Sequence, residues 1–200
     1  NGNITTGSIG TYSAAVGGNN TGNGGDVSFN TRNGNIATGN IIHTYSAADG
    51  NTGNAGAVSL LTNNGTIATG FIRTYAEANS TGNAGSGGPI NLSAINGDID
   101  FSAINSTSNG EGGIGGNVPI KTDKFVRISS SFIDFKGIEA SISTAGTNGG
   151  GPITIENGSD ANNPFVVGDA TTNGTVGAIT TGFVDILTND PNNPFDSAGF

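Results

Sequence analysis

The strongest constraint on this chain is that it repeats. The phrase Asn-Gly-x-Ile recurs at Asn1–Ile4, Asn33–Ile36, Asn64–Ile67 and Asn96–Ile99, in steps of 32, 31 and 32 residues. A second phrase keeps the same step: Gly25-Asp-Val27-Ser-Phe29, Gly56-Ala-Val58-Ser-Leu60 and Gly88-Pro-Ile90-Asn-Leu92. A fixed period of this length predicts a solenoid, in which each repeat forms one coil and buries its apolar side chains by stacking on the next.

Composition then decides between a folded and a disordered repeat. With 36 glycines in 200 residues, low complexity is the first suspicion. Two features oppose it: charged residues make up only 10% of the chain, and Ile, Val and Leu return at regular positions. Such a pattern suits many short strands joined by tight corners. In the stretch 33–63, Ile36-Ala37-Thr38 alternates inward and outward and Gly39 marks a corner. Ile42–Tyr45 reads as a second strand, Asp49–Gly56 as a polar loop and Val58–Leu60 as a third strand.

The fold class predicted is therefore all-β: a parallel β-helix of about five to six coils, roughly 31–32 residues each. Right-handedness is expected from the general rule for parallel crossovers. Strands then pair with their equivalents one coil away, about 4.8 Å along the axis. Three inward columns follow: Ile4/Ile36/Ile67/Ile99, Ile9/Ile42/Ile72, and Val27/Val58/Ile90/Val118/Ile153. Glycine at the Asn-Gly corners is expected to supply positive φ, and the asparagine amide to bond along the stack. The repeat covers residues 1–158. Residues 159–200, with Asn163-Pro-Phe165 and Asn192-Asn-Pro-Phe195, depart from it and read as a cap or the start of another module.

The net charge of −9, with six Lys and Arg, disfavours nucleic acid and anionic membrane surfaces as partners. No run approaches the roughly 18 apolar residues that span a bilayer, so no membrane insertion is expected. The chain opens inside a repeat without Met, which reads as a piece of a longer protein. A lack of cysteine fits an exported bacterial surface protein.

The repeat phrases, above all Pro164–Ala170 followed by Asn173–Gly182, resemble the large exported proteins related to filamentous haemagglutinin. That resemblance implies a secreted or surface-exposed, often adhesive, β-helical stalk of a Gram-negative-type bacterium. It also implies export through a partner outer-membrane barrel (two-partner secretion), recognised by a region outside this chain. The expected function is structural and adhesive, with a glycan or surface protein as target. The alternative is a β-helix module that binds or cleaves polysaccharide.

Candidate sites are sparse. Tyr12, Tyr45 and Tyr75 occupy one repeat position and predict a ladder of rings along an outer face. It would serve either as a sugar- or partner-binding strip or as a small second core under the glycine-rich loops. His43, between Gly10 and Arg73 in its column, lacks the converging ligands of a metal site and reads as solvated. Asp98 and Asp100 flank inward Ile99 about 7 Å apart, which invites comparison with glycosidase carboxylates. The preceding coil offers only Thr66 and Ala68 beside them, so they read as solvated acids.

Gly24-Gly25-Asp26-Val27 resembles part of a calcium-binding nonapeptide, yet the period is not nine and Ala57 and Pro89 replace the aspartate. An isolated calcium site in one loop stays open. No Thr-x-Thr occurs, against an ice-binding face; the columns Thr38/Thr69 and Thr11/Thr44/Thr74 are expected to satisfy corners and inward hydrogen bonds. The chain is read as a non-enzyme, without metal or cofactor.

Overall fold

A computed structural model describes residues 2–79, 82–158 and 162–182, and the backbone of 186–187. Asn192–Phe195 lies outside the described residues. Among these the fold is all-β, a solenoid of about five turns built from stacked parallel strands.

Each of the first four turns carries four strands instead of the three read from the sequence. In the second coil they are Ile36–Ala37, Ile41–His43, Ser46–Ala48 and Val58–Thr62. The expected strand through Tyr45 stops at His43, bends at Thr44 and Tyr45, and resumes at Ser46. Stacking the four gives sheets of seven, eight, four and five strands. The Asn-Gly-x-Ile phrase feeds the first sheet, with Ile4 opposite Ile36, Ile36 opposite Ile67 and Ile67 opposite Ile99. Ile9, Ile42, Ile72, Ile104 and Ile142 align in the second. Val27, Val58, Ile90, Val118 and Ile153 align in the fourth.

The physical cause of the fourth strand is a neck in the coil. Gly56 N donates to Thr44 O at 2.7 Å, and Thr44 Oγ1 donates to Gly56 O at 2.7 Å. Thr11 with Gly25, Thr74 with Gly88 and Thr144 with Gly151 repeat the pair. On one side of the neck lies a lobe filled by Ile, Leu and Val, where Ile36, Ile42, Leu60, Ile67 and Ile72 are fully buried. Each such side chain stabilises by roughly 1.5–3 kcal/mol. On the other side is a thin lobe of small residues, with Ser46, Ala48, Ala55, Ala76 and Ala78 buried. The column Thr11/Thr44/Thr74 makes the expected inward hydrogen bonds and ties the two walls together, while half-buried Thr38 and Thr69 bond each other along the stack at a corner.

The polar loop of each coil is itself a stacked layer. Thr21 N donates to Asn51 O, Gly24 N to Asn54 O and Thr52 N to Asn83 O, all within 2.9–3.0 Å. Asparagine side chains extend the ladder as expected: Asn20 Oδ1 accepts from Asn51 N and Asn51 Oδ1 from Asn83 N, both at 2.8 Å. Asn64 Nδ2 donates to Asn33 Oδ1, and Asn96 Nδ2 to Asn64 Oδ1.

Glycine at the Asn-Gly corners has a different reason from the one predicted. Gly34, Gly65 and Gly97 are not among the positive-φ glycines. A Cβ on Gly65 would fall 2.1 Å from Gly34 O, and one on Gly97 2.1 Å from Gly65 O. These residues are glycine because one coil's backbone rests on the next.

Beyond the repeat, Gly174–Thr175 and Ala178–Thr180 add a further parallel rung to the first and second sheets. Phe165 and Val167 join the apolar cluster there. Asn173 substitutes its side chain for backbone, with Oδ1 accepting from Val126 N at 3.0 Å.

Candidate functional site

The tyrosines sit where the second sheet bends into the third, on the outside of the neck. Their register is set by the backbone, because Ser13 N bonds Tyr45 O and Ser46 N bonds Tyr75 O. The coil spacing of about 4.8 Å then stacks the rings face to face. Tyr12 and Tyr45 are 4.7 Å apart at 8°, and Tyr45 and Tyr75 4.8 Å apart at 5°. Tyr12, the end ring, keeps 52% of its surface exposed, while Tyr45 and Tyr75 are half-buried. Burial, with Tyr45 and Glu77 adding and Arg73 opposing, pushes the Tyr75 phenol up to about 12.

Two outward residues of the second sheet lean on this ladder. His43 stands opposite Gly10 and Arg73, as the column alignment predicts. It is half-buried, however: its ring meets Tyr45 edge-on at 5.3 Å, and its Nε2 is buried without a partner. Burial first, and then the charge of Arg73, hold its pKa below the usual value. The Arg73 guanidinium lies over the Phe71 ring at 4.5 Å, and its Nε is likewise buried and unpaired. The two covered atoms share a cause, since bulky neighbours two residues away on the same strand face lie against these groups.

A hairpin that the repeat does not foretell closes one side. Phe132–Ile133 pairs antiparallel with Glu139–Ser143 of the second sheet, and Phe132 reaches back to Phe71, 5.1 Å between centroids. Asp134 anchors the turn. Its buried carboxyl accepts from Lys136 N at 2.9 Å, Ile138 N at 3.0 Å and Ser143 Oγ at 2.7 Å. Leaving such donors unsatisfied costs about 2 kcal/mol. Asp134→Ala should therefore keep the β-rich circular dichroism but speed amide exchange across 132–139 at least tenfold. Unchanged exchange there would contradict the anchoring role. Between hairpin, ladder and Arg73 lies a groove of about 350 Å³.

Asp98 and Asp100 do point outward together and stay part-exposed, but they are paired. The following coil, not the preceding one, supplies their partner. Arg127 stands opposite Asp100; its Nη2 lies 3.0 Å from Asp98 Oδ2, and its Nε 2.6 Å from Asp100 Oδ1. The hydrogen bond that Arg127 donates to Asp100 is the chief cause raising the Arg127 pKa. Part-exposed pairs of this kind contribute roughly 0.2–1 kcal/mol. Arg127 stands 27 residues after Asp100 and Ile142 38 after Ile104, both off the 31–32-residue period, so the repeat placed neither Arg127 nor the hairpin.

Comparison of the chain with protein-family models, with curated proteins and with solved structures returns no match. No group of three or more His, Cys, Asp or Glu that could hold a metal occurs among the described residues.

Proposed function

We propose that this chain is a structural and adhesive segment of a secreted bacterial surface protein, a rigid stalk presenting its lateral faces and stacked loops. One observation carries the reading. Inward positions keep their chemistry from coil to coil, as in Ile36, Ile67 and Ile99, while outward ones drift, as in Gly10, His43 and Arg73. A repeat of this kind gains length without a change of core, because each coil contacts mainly its neighbours. Export by two-partner secretion and surface location rest on the likeness of the repeat phrases to the filamentous haemagglutinin group.

A polysaccharide-binding role is favoured by a separate observation, the tyrosine ladder with its exposed end at Tyr12. Cleavage draws no support from Asp98 and Asp100, whose oxygens are engaged by Arg127. The reading is non-catalytic, with a glycan or surface protein as partner.

The scaffold reading predicts that a whole coil can be removed. Asn64 N already bonds Arg32 O, so excision of residues 33–63 joins equivalent positions. The shortened chain should stay β-rich and melt cooperatively, a few degrees below the parent. A chain that no longer folds would sink the scaffold reading. Beads coated with the intact chain should adhere to mucin or to cell layers more than albumin-coated beads. Equal adhesion would remove the adhesive half.

A further inference from the structure

The outward row of the third coil is bulky: Phe71, Arg73, Tyr75 and Glu77 project in turn from its second and third strands and the bend between them. The matching row of the fourth coil is small. Ile72 N bonds Ala103 O, which places Ala103 beside Phe71, and Asn105 stands opposite Arg73 and Asn109 opposite Glu77. Ala76 N bonds Thr107 O, so the ring ladder ends at Tyr75 with a threonine next in line. One coil further, the hairpin rises as an opposite wall through Phe132 and Phe135. The step down in side-chain size and the hairpin beyond it make a trough across the solenoid, about 350 Å³ in volume. That lies within the range of ligand clefts.

The trough pairs aromatic walls with uncommitted polar groups. Arg73 lines it with its Nε covered and unpaired, and the side chains of Glu77 and Asn109, also in the lining, make no hydrogen bond among the described residues. A guanidinium, a carboxyl and an amide together match the donor and acceptor pattern of adjacent sugar hydroxyls. Rings such as Tyr75 and Phe135 suit the apolar C–H face of a pyranose. The net charge of −9 and the presence of Glu77 select against sulfated or acidic chains.

We propose that this trough binds a neutral pyranose oligosaccharide lying across the stalk, with Arg73 and Glu77 on its hydroxyls and Tyr75 and the hairpin phenylalanines on its ring faces. The proposal rests on the lateral face being the adhesive one and names the ligand class and the residues. All three tyrosines of the chain lie in the ladder and there is no tryptophan, so intrinsic fluorescence reports on the ladder, whose last ring, Tyr75, lines the trough.

The probes are cellohexaose, maltohexaose and chitohexaose, with a heparin-derived hexasaccharide as the anionic comparison, followed by calorimetry and tyrosine fluorescence. At least one neutral probe should bind with a Kd at or below about 1 mM and perturb the fluorescence. The heparin fragment should bind more weakly. Arg73→Gln and Phe132→Ala should each weaken binding at least tenfold with unchanged circular dichroism; Arg73→Gln, on a coil strand, keeps the test valid if loss of Phe132 loosens the hairpin. Failure of all three neutral probes, tighter heparin binding, or parent-like affinity in Arg73→Gln would each overturn the proposal. Bead adhesion without hexasaccharide binding discards the trough and leaves the adhesive reading; hexasaccharide binding without bead adhesion does the reverse.

Discussion

Ile67→Asp should abolish cooperative folding at neutral pH. Ile67 is fully buried in the central column between Ile36 and Ile99, with Leu60 and Leu92 in the same core. The substitution forfeits roughly 1.5–3 kcal/mol of apolar burial and places a carboxyl where nothing can solvate or pair with it. That adds several kcal/mol more, either as a buried charge or as the work of keeping the acid protonated. A domain stabilised by about 5–15 kcal/mol in total has little left after that loss. The sign with pH is fixed: a buried acid has its folded pKa raised, so the variant should regain stability below the unfolded value of about 3.9 and lose it as pH rises. Thermal melts followed by circular dichroism at neutral and acidic pH measure this. A variant that melts like the parent at neutral pH would mean the inward column is wrongly placed.

Gly65→Ala and Gly7→Ala should act in opposite directions, although each adds one methyl group to a glycine near a corner. At Gly65 the new Cβ would meet Gly34 O at 2.1 Å and Gly34 C at 2.5 Å. The flanking bonds Asn64 N to Arg32 O and Ile36 N to Thr66 O hold the coils together at that point. Separating them should cost about 3 kcal/mol, a fall of roughly 6–12 °C in melting temperature for a chain of this size. At Gly7 nothing lies within 4 Å of the added atom and φ is not positive. Alanine there restricts the unfolded chain and should stabilise by about 0.4–1 kcal/mol. Equal shifts in the two variants would refute close backbone approach as the reason for the corner glycines.

These two substitutions also mark how far the sequence could be read. The burial of Ile67 was legible because periodicity alone puts an apolar residue at the same point of every coil. The need for Gly65 was legible as a fact, but its reason was not. Phrase spacing shows that glycine recurs, whereas only packed coils show that it is a neighbouring carbonyl, and not a positive φ, that excludes the side chain. The candidate site divides in the same way. The tyrosine ladder followed from register, since equal positions in successive coils must stack. Arg127 over Asp98 and Asp100, and Phe132 against Phe71, required knowing which chain segment comes next in space.

The sequence by itself therefore determined the repeat length, the parallel stacking, the inward columns and the line of three tyrosines. Each of these depends on residues one period apart, and one period along the chain is one coil along the axis. Only the tertiary structure decided the neck between Thr44 and Gly56, the four-stranded turn, the covering of His43 Nε2 and the trough beyond Tyr75. Those arise where segments of unequal length meet: the neck joins residues 12 apart within one coil, and the hairpin breaks the period altogether. Periodicity carries no information about such contacts, because they are made across the coil and not along it.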